Sequence, residues 1–154
     1  MPVMLRCHKG IGPAVGGTAL VAADNFSARY DLDRSRGIFS RPSHQLAGES
    51  YIDRILVLDG AKGGVATAWM LYDMAVRGIV PRALIFNRVN PIIAQGAAFG
   101  GVALVDRFAG DVTLLFRTGD ELRVDPAAGT VEILNRDACA KSLVDGKLLP
   151  KSRY

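Results

Sequence analysis

Cysteine is scarce in this sequence, which holds only Cys7 and Cys139. Iron–sulfur clusters are ordinarily bound by four cysteine thiolates, and no spacing of His and Cys residues here is typical of a zinc site. The sequence therefore predicts no cofactor and no metal in this chain. Residues 1–17 lack the hydrophobic segment of a signal peptide, and polar residues interrupt the apolar stretch 79–105. We expect a cytoplasmic protein without a membrane-spanning segment.

Aromatic residues make up only 7% of the sequence, and no run of five like charges accompanies its net charge of +4. A nucleic-acid-binding protein is expected to combine a basic stripe with exposed aromatic side chains, so this class is disfavoured. The 19 Lys and Arg residues are interspersed with 15 Asp and Glu residues, a balance that suits a small anionic ligand. The length of 154 residues predicts a single domain, residues 1–154, with a short tail over about residues 148–154.

Apolar patterning predicts a β-α-β-α-β core. Short apolar runs at residues 54–58, 83–86 and 102–105 are typical of buried parallel strands. Between them, residues 65–77 carry Ala66, Met70 and Met74 at helical spacing, and Pro91 is expected to begin a second helix that ends near Phe99.

The flanking segments predict a β-rich unit beside this core. We expect strands at residues 18–21, 111–117, 121–124 and 130–134, with a turn at 125–129. Residues 24–50 show no sustained period and predict a long ordered loop. The glycines of residues 9–17 fit a structural turn better than a dinucleotide-binding loop, because a strand follows them and none precedes them. The fold class is therefore α/β, a small core flanked by a β-hairpin unit.

The segment Lys62-Gly63-Gly64 lies between a predicted strand and a predicted helix. Free N–H groups and the dipole at a helix start favour an anion, glycines let a ligand approach the backbone, and Lys62 adds positive charge. An ordinary glycine turn is the alternative. Thr67, one turn into the helix, has a hydroxyl that could face the same ligand, although such a residue is also common on a helix surface.

Asn87 and Arg88 follow the next predicted strand, and α/β sheets bind ligands at this edge. Arg88 could pair with a carboxylate or a phosphate, or be a solvated loop residue. Ser27, Arg29, Tyr30, Ser43 and His44 lie in the long loop and could reach the same edge. His44 could equally be a hydrogen-bonded structural residue. No G-x-S-x-G motif is present to support a serine hydrolase.

An ordered set of short motifs runs through residues 10–135. The set comprises Phe26-Ser27, Gly37, His44, Gly48-Glu49-Ser50, Ile55-Leu56-Val57-Leu58, Lys62-Gly63-Gly64, Val80-Pro81-Arg82-Ala83-Leu84-Ile85, Asn90-Pro91-Ile92 and Gln95-Gly96-Ala97. In this order the motifs resemble the swivel domain of the aconitase X family.

The resemblance implies a swivelling β/β/α domain that is fused to, or paired with, a large subunit. In that family the large subunit holds an iron–sulfur cluster and most substrate ligands, and characterised members dehydrate cis-3-hydroxy-L-proline or phosphomevalonate. We therefore expect this chain to be the small subunit of a hydro-lyase that acts on a small hydroxy acid. It would form a heterodimer with an aconitase-X-like large subunit and be inactive alone.

The sequence departs from the family at one position that matters for catalysis. The resemblance implies a proton-transferring serine after Lys-Gly, where this chain has Gly64. Either Thr67 or Ser27 supplies a hydroxyl instead, or the chemistry differs, or the chain only binds. We predict Thr67 and Ser27 as catalytic candidates, and the predicted substrate-binding residues are Lys62, Gly63, Gly64, Arg88, Asn87 and His44.

Two other functions are compatible with the sequence. The hairpin at residues 119–133 resembles the mobile domain of phosphoenolpyruvate-utilising enzymes, which needs a phosphorylatable histidine in a glycine-rich loop. Of the two histidines, only His8 lies near glycines. The other alternative is a non-catalytic ligand-binding or regulatory module, which the absence of the family serine favours. Co-purification with a partner that carries a cluster would distinguish the hydro-lyase subunit from both.

Overall fold

A computed structural model describes residues 3–28, 30–62 and 65–135 of the chain, with the side chains of all of these except Val65 and Thr67. The predicted tail at residues 148–154 and Cys139 lie outside the described residues. The elements are β1 (Val3–Arg6), β2 (Val15–Val21), β3 (Asn25–Phe26), β4 (Leu32–Asp33), β5 (Ile38–Phe39), β6 (Ile55–Ala61), α1 (Val65–Arg77), β7 (Ala83–Arg88), α2 (Pro91–Gly100), β8 (Ala103–Val105), α3 (Val112–Leu115), β9 (Glu121–Asp125) and β10 (Thr130–Asn135).

One mixed sheet of eight strands organises the described part of the chain. Its main path is β1-β10-β9-β2-β6-β7-β8, and β3 pairs with the far end of β6. Strands β2, β3, β6, β7 and β8 run parallel, whereas β9 and β10 form an antiparallel hairpin that joins β2 to β1. Strands β4 and β5 form a separate antiparallel pair. The predicted β-α-β-α-β core and the predicted hairpin are therefore both confirmed.

Both faces of β6 are buried, as the apolar run at its start predicts. Leu56 and Leu58 pack on the face that α1, α2 and the long loop cover. Ile55 and Val57 pack on the opposite face, against α3 and the hairpin strands. All four side chains are fully buried, so the first part of β6 is held between two cores.

The two long helices begin and end close to where the sequence predicts. For α2, the side chain of Asn90 accepts a hydrogen bond from the N–H of Ile93, Pro91 occupies the first turn, and Gly101 adopts a left-handed conformation with φ of 68°. These are the start and stop signals expected of a helix. In the glycine-rich segment, Ile11 exchanges two backbone hydrogen bonds with Leu104, which accords with a structural role.

The predicted strand at residues 111–117 is wrong. Residues 112–115 form the one-turn helix α3, because the carboxylate of Asp111 accepts hydrogen bonds from both the N–H and the hydroxyl of Thr113. Such a cap offers the backbone a local alternative to strand pairing. Sequence patterning also missed β1 and the two-residue strands β3, β4 and β5, and it ended β6 and β7 too early.

The contact between α1 and α2 leads to a testable expectation at Gly96. A Cβ atom at this position would lie 2.7 Å from the Cα of Ala68. Replacing a helical glycine with alanine ordinarily stabilises a protein by about 1 kcal/mol. Here Gly96→Ala has to push the helices apart, so we expect the free energy of unfolding in urea to fall by about 1–3 kcal/mol.

Gly100 provides the graded control in the same helix. A Cβ atom there would lie 3.3 Å from the Cβ of Ala75, a contact that small shifts can relieve. Gly100→Ala should therefore lower the free energy of unfolding by less than Gly96→Ala does. A Gly96→Ala protein that is more stable than the wild type would contradict this account of the helix contact.

Candidate functional site

The carboxyl ends of three strands bring Asn25, Gly60 and Arg88 into one row across the sheet. Gly60, near the end of β6, is paired with Asn25 of β3 on one side and with Arg88 of β7 on the other. This is the edge at which parallel sheets bind ligands. A glycine in the middle of the row leaves the backbone open to close approach.

A cleft of about 400 Å³ lies on the β3 side of this row. We call it the Ser27–Lys62 cleft, and its lining residues are Asp24, Asn25, Ser27, Tyr30, Asp31, Arg41 and Lys62. Two predicted site residues, Ser27 and Lys62, therefore lie together although they are 35 positions apart in the sequence. The cleft also contains charged residues that sequence reasoning missed, of which Asp31 and Arg41 are the most closely connected to Ser27.

Ser27 is buried to 5% exposure in a tight turn. Its N–H donates to Oδ2 of Asp31 at 3.0 Å, and its carbonyl accepts from the N–H of Asp31 at the same distance. The N–H of Tyr30 donates to Oγ of Ser27 at 3.3 Å. The hydroxyl hydrogen of Ser27 has no acceptor among the described residues, so the group can donate to a molecule in the cleft.

Lys62 follows β6 directly, and its N–H donates to the carbonyl of Phe26 at 2.7 Å. Its ammonium group is exposed and makes no ion pair within the part of the chain that the structure describes. The helix α1 begins three residues later, at Val65. Gly63 and Gly64 lie outside the described residues, and Thr67 is placed in the first turn of α1 by its backbone only.

Asp31 and Arg41 form an ion pair at the wall of the cleft. Nε of Arg41 donates to Oδ1 of Asp31 at 2.5 Å, and Nη1 donates to Oγ of Ser43 at 2.6 Å. This hydrogen bond to Asp31 raises the pKa of Arg41 above its usual value. Burial raises the pKa of Asp24, but backbone N–H groups of Asn25 and Gln45 outweigh it, so the pKa lies below its usual value. Asp24 is therefore ionised in the cleft.

His44 lies beneath the cleft and does not line it. Its side chain is fully buried and stacks on Phe39 with the ring centroids 4.7 Å apart. Nδ1 accepts from the N–H of Leu46 at 3.0 Å, which leaves Nε2 as the donor to the carbonyl of Asn25 at 2.7 Å. With both ring nitrogens engaged, His44 has no atom for a substrate. The structure places it as a support, in place of the substrate-binding role that we predicted.

Asn87 also has a structural position. It lies within β7, and its Nδ2 donates to Oδ1 of Asp59 at 2.9 Å and to Oδ1 of Asp111 at 3.0 Å. Its Oδ1 accepts from the N–H of Val112 at 2.9 Å. The hydrogen bond from Asn87 contributes most to the lowered pKa of Asp111, followed by those from Thr113. The amide of Asn87 thus ties β6, β7 and α3 together and is not free for a substrate.

Arg88 is exposed at the end of β7 and has no ion pair among the described residues. It lines a second cleft of about 510 Å³ on the β7 side, together with Asp59, Gly60, Asn87, Phe108, Ala109, Gly110 and Asp111. The two free cations of the predicted site, Lys62 and Arg88, therefore lie in different clefts with Gly60 between them. The substrate-binding role of Arg88 stays a prediction.

The described residues contain no group of three or more His, Cys, Asp or Glu side chains that could hold a metal ion. Burial, followed by the charge of Asp106, raises the pKa of the Cys7 thiol to about 11. A thiol with such a pKa is a poor nucleophile and a poor metal ligand near neutral pH. Among the described residues, no helix has both the length and the apolar character that a membrane span requires.

A family model of the aconitase X swivel domain matches residues 4–133 of the chain. The phosphomevalonate dehydratase small subunit of Methanococcoides burtonii is 30% identical over 134 residues, which cover 87% of this chain and 98% of that protein. The phosphomevalonate dehydratase small subunit of Methanocaldococcus jannaschii is 34% identical, over 83% of this chain and 93% of the relative. The crystal structure of aconitase X from Thermococcus kodakaraensis superposes with a TM-score of 0.80 at 27% identity, covering 86% of this chain and 99% of that one.

Proposed function

Because the chain belongs to the aconitase X swivel-domain family, we propose that it is the small subunit of a hydro-lyase. The observation that carries this proposal is the extent of the similarity. The chain spans 98% of a relative that is itself named a dehydratase small subunit. In this proposal the open clefts at the edge of the sheet form only part of an active site, and a partner supplies the rest.

The proposed reaction is the dehydration of a small hydroxy acid, of the hydroxyproline or phosphomevalonate type. Dehydration removes a hydroxyl group from one carbon and a proton from its neighbour, so the site must both hold the acid group and transfer protons. Lys62 binds the carboxylate or phosphate, assisted by the start of α1. Ser27 is the proposed proton-transfer group, because its hydroxyl hydrogen is unpaired among the described residues and lies in the same cleft.

The iron–sulfur cluster of such an enzyme belongs to the large subunit in this proposal. The present chain has two cysteines, which are too few for the four thiolates of a cluster. Its own residues bind the substrate and move a proton. We propose that the complex is cytoplasmic and acts without nucleic-acid or membrane partners.

The phosphotransfer alternative has weaker support in the surroundings of His8. That alternative requires a histidine in an open glycine-rich loop, yet a Cβ atom on neighbouring Gly10 would lie 1.9 Å from the carbonyl oxygen of Leu104. The loop is thus packed against β8. The non-catalytic binding module remains the second candidate, since Gly64 replaces the serine that the family resemblance implies.

Co-expression with an aconitase-X-like large subunit tests the proposal. We expect the two chains to co-purify through an interface of about 1,500 Å² or more, and the complex to dehydrate a hydroxy acid. The isolated chain should be folded, colourless and inactive. Turnover by the isolated chain, or a monomer peak that the partner leaves unchanged in size exclusion, would contradict it.

Lys62→Ala should weaken substrate binding in the complex. A charge-assisted contact to a carboxylate or phosphate contributes about 1.5–3 kcal/mol, which corresponds to a rise in KM of about tenfold or more. We expect the melting temperature to stay the same, because the ammonium group has no partner among the described residues. Steady-state kinetics with the purified complex measures the change.

Lys9→Ala is the matched control, since Lys9 is an exposed lysine that does not line the cleft. It should leave KM unchanged. Equal KM values for the wild type and Lys62→Ala would show that the segment after β6 is only a strand-to-helix turn.

A further inference from the structure

We propose that Asp31 and Arg41 form a positioning pair that fixes the Ser27 hydroxyl for proton transfer. The proposal rests on the function proposed above, in which Ser27 is the proton-transfer group. It adds that this activity depends on an ion pair that does not itself touch the reacting atoms. Three observations support it: the geometry of the turn, the burial of Asp31 and the two side-chain contacts of the Arg41 guanidinium.

The carboxylate of Asp31 closes the turn that carries Ser27. Its Oδ2 accepts from the N–H of Ser27, while the N–H of Asp31 donates to the carbonyl of Ser27, each at 3.0 Å. This reciprocal pair fixes the backbone of Ser27, and the N–H of Tyr30 then donates to its Oγ. The hydroxyl oxygen is therefore held at a defined position and its hydrogen stays available to a molecule in the cleft, which is what proton transfer in a fixed geometry requires.

Arg41 holds the other oxygen of the same carboxylate. The side chain of Asp31 is 4% exposed, so its charge needs a close partner. Nε of Arg41 contacts Oδ1 of Asp31, and Nη1 of the same planar group contacts Oγ of Ser43. The contact to Ser43 orients the planar guanidinium, and the oriented Nε then holds Oδ1 of Asp31, an arrangement that a single ammonium group cannot reproduce.

Backbone hydrogen bonds connect the same segments. The N–H groups of Ser40 and Arg41 both donate to the carbonyl of Asp31, at 2.8 and 3.3 Å. Nε2 of the buried His44 lies 3.8 Å from Oδ2 of Asp31. These contacts tie the two segments of the loop together, so we expect a change at Arg41 to reach Ser27 through Asp31.

The charges assign different roles to the two cations of the cleft. The charge of Arg41 is offset by Asp31 at 2.5 Å and by Asp24 at 3.7 Å. Lys62 has no such partner among the described residues. Lys62 is therefore available to the anionic group of the substrate, whereas the charge of Arg41 is used to hold Asp31. A loss of Arg41 should affect kcat more than KM, which is the opposite of the expectation for Lys62.

A double-mutant cycle in the assembled complex tests the pair. The four proteins are the wild type, Ser27→Ala, Arg41→Ala and the double variant. We expect Arg41→Ala to lower kcat about tenfold with KM changed less than about threefold, since a small displacement of a positioned group costs this much or more. The double variant should match Ser27→Ala within about twofold, because Arg41 acts only through Ser27.

Arg41→Lys guards against a failure of Arg41→Ala to fold. It keeps the charge but cannot contact Asp31 and Ser43 together. It should therefore lower kcat when Ser27 is present and leave kcat unchanged in the Ser27→Ala background. Arg36→Ala is the matched control, because Arg36 forms an exposed ion pair with Asp33 in the same loop. It should change neither constant. Losses that multiply in the double variant, or an Arg41 effect confined to KM, would overturn the proposal.

Amide hydrogen exchange of the isolated chain supplies a readout that is independent of turnover. Arg41→Lys should speed exchange at the Ser27 amide about tenfold, while the Ala22 amide, bonded to the carbonyl of Val57, keeps its rate. An inactive wild-type complex would contradict the proposed function but not the positioning pair. An unchanged exchange rate at the Ser27 amide would contradict the positioning pair but not the proposed function.

Discussion

In the assembled complex, Ser27→Ala is expected to lower kcat by about 100-fold, because general acid–base groups contribute about 10²–10⁴ to rates. The substitution removes one oxygen atom at a site that is already shaped by Asp31 and by the backbone of Tyr30. Since the bonds to Asp31 are made by the backbone of Ser27, the turn should keep its form. We therefore expect little change in KM or in melting temperature.

Thr67→Ala is the informative comparison, because Thr67 is the other hydroxyl that the sequence offers near the start of α1. If Ser27 transfers the proton, Thr67→Ala should retain most of the activity. The reverse result, a large loss for Thr67→Ala and none for Ser27→Ala, would assign proton transfer to the helix. No loss in either variant would mean that this chain only binds the substrate, as the glycine at position 64 allows.

The regular elements of the fold were predictable because local signals mark them. Pro91 and Gly101 bound α2, and the apolar run at residues 55–58 identifies the central strand. Residues 112–115 show where local signals mislead. Their apolar side chains fit a strand, but the carboxylate of Asp111 caps them as the helix α3. Strand β1 was missed because its residues are largely exposed and its pairing with β10 joins opposite ends of the described chain.

The candidate site was predictable only in part. Lys62 was singled out by its position between a strand and a helix, and Ser27 by its place in the long loop and in the family resemblance; their roles stay predictions. Asp31 and Arg41 were missed because their importance comes from a contact across the loop, and no periodic pattern reports such a contact. Asn87 was placed correctly at the edge of the sheet, but its hydrogen bonds to Asp59 and Asp111 depend on a helix that the sequence did not predict.

The long loop, residues 24–50, contributes side chains to the hydrophobic core. Phe26 and Phe39 are both fully buried, and they share one apolar cluster with Leu56 of the central strand. The cleft residues of the loop are fixed by this cluster on their inner side. Stability and the geometry of the cleft should for this reason be coupled.

Phe39→Ala is expected to destabilise the isolated chain by about 3–5 kcal/mol, the usual cost of removing a buried phenylalanine. The ring stacks on His44 at 4.7 Å and meets Tyr51 edge-on at 6.1 Å, so its loss leaves a cavity beneath the cleft. Phe99→Ala is the matched control, because Phe99 is 65% exposed and its removal should change the free energy of unfolding by about 0.5 kcal/mol or less.

Urea unfolding of the two variants and the wild type measures the difference. Phe39→Ala should also speed hydrogen exchange at the Leu46 amide, which donates to Nδ1 of His44, because His44 loses the ring against which it packs. Equal unfolding free energies for the two variants would show that residues 24–50 lie over the core without contributing to it. In that case the loop would fold against the sheet only weakly, and the positions of Ser27 and Asp31 would have to be set by the large subunit.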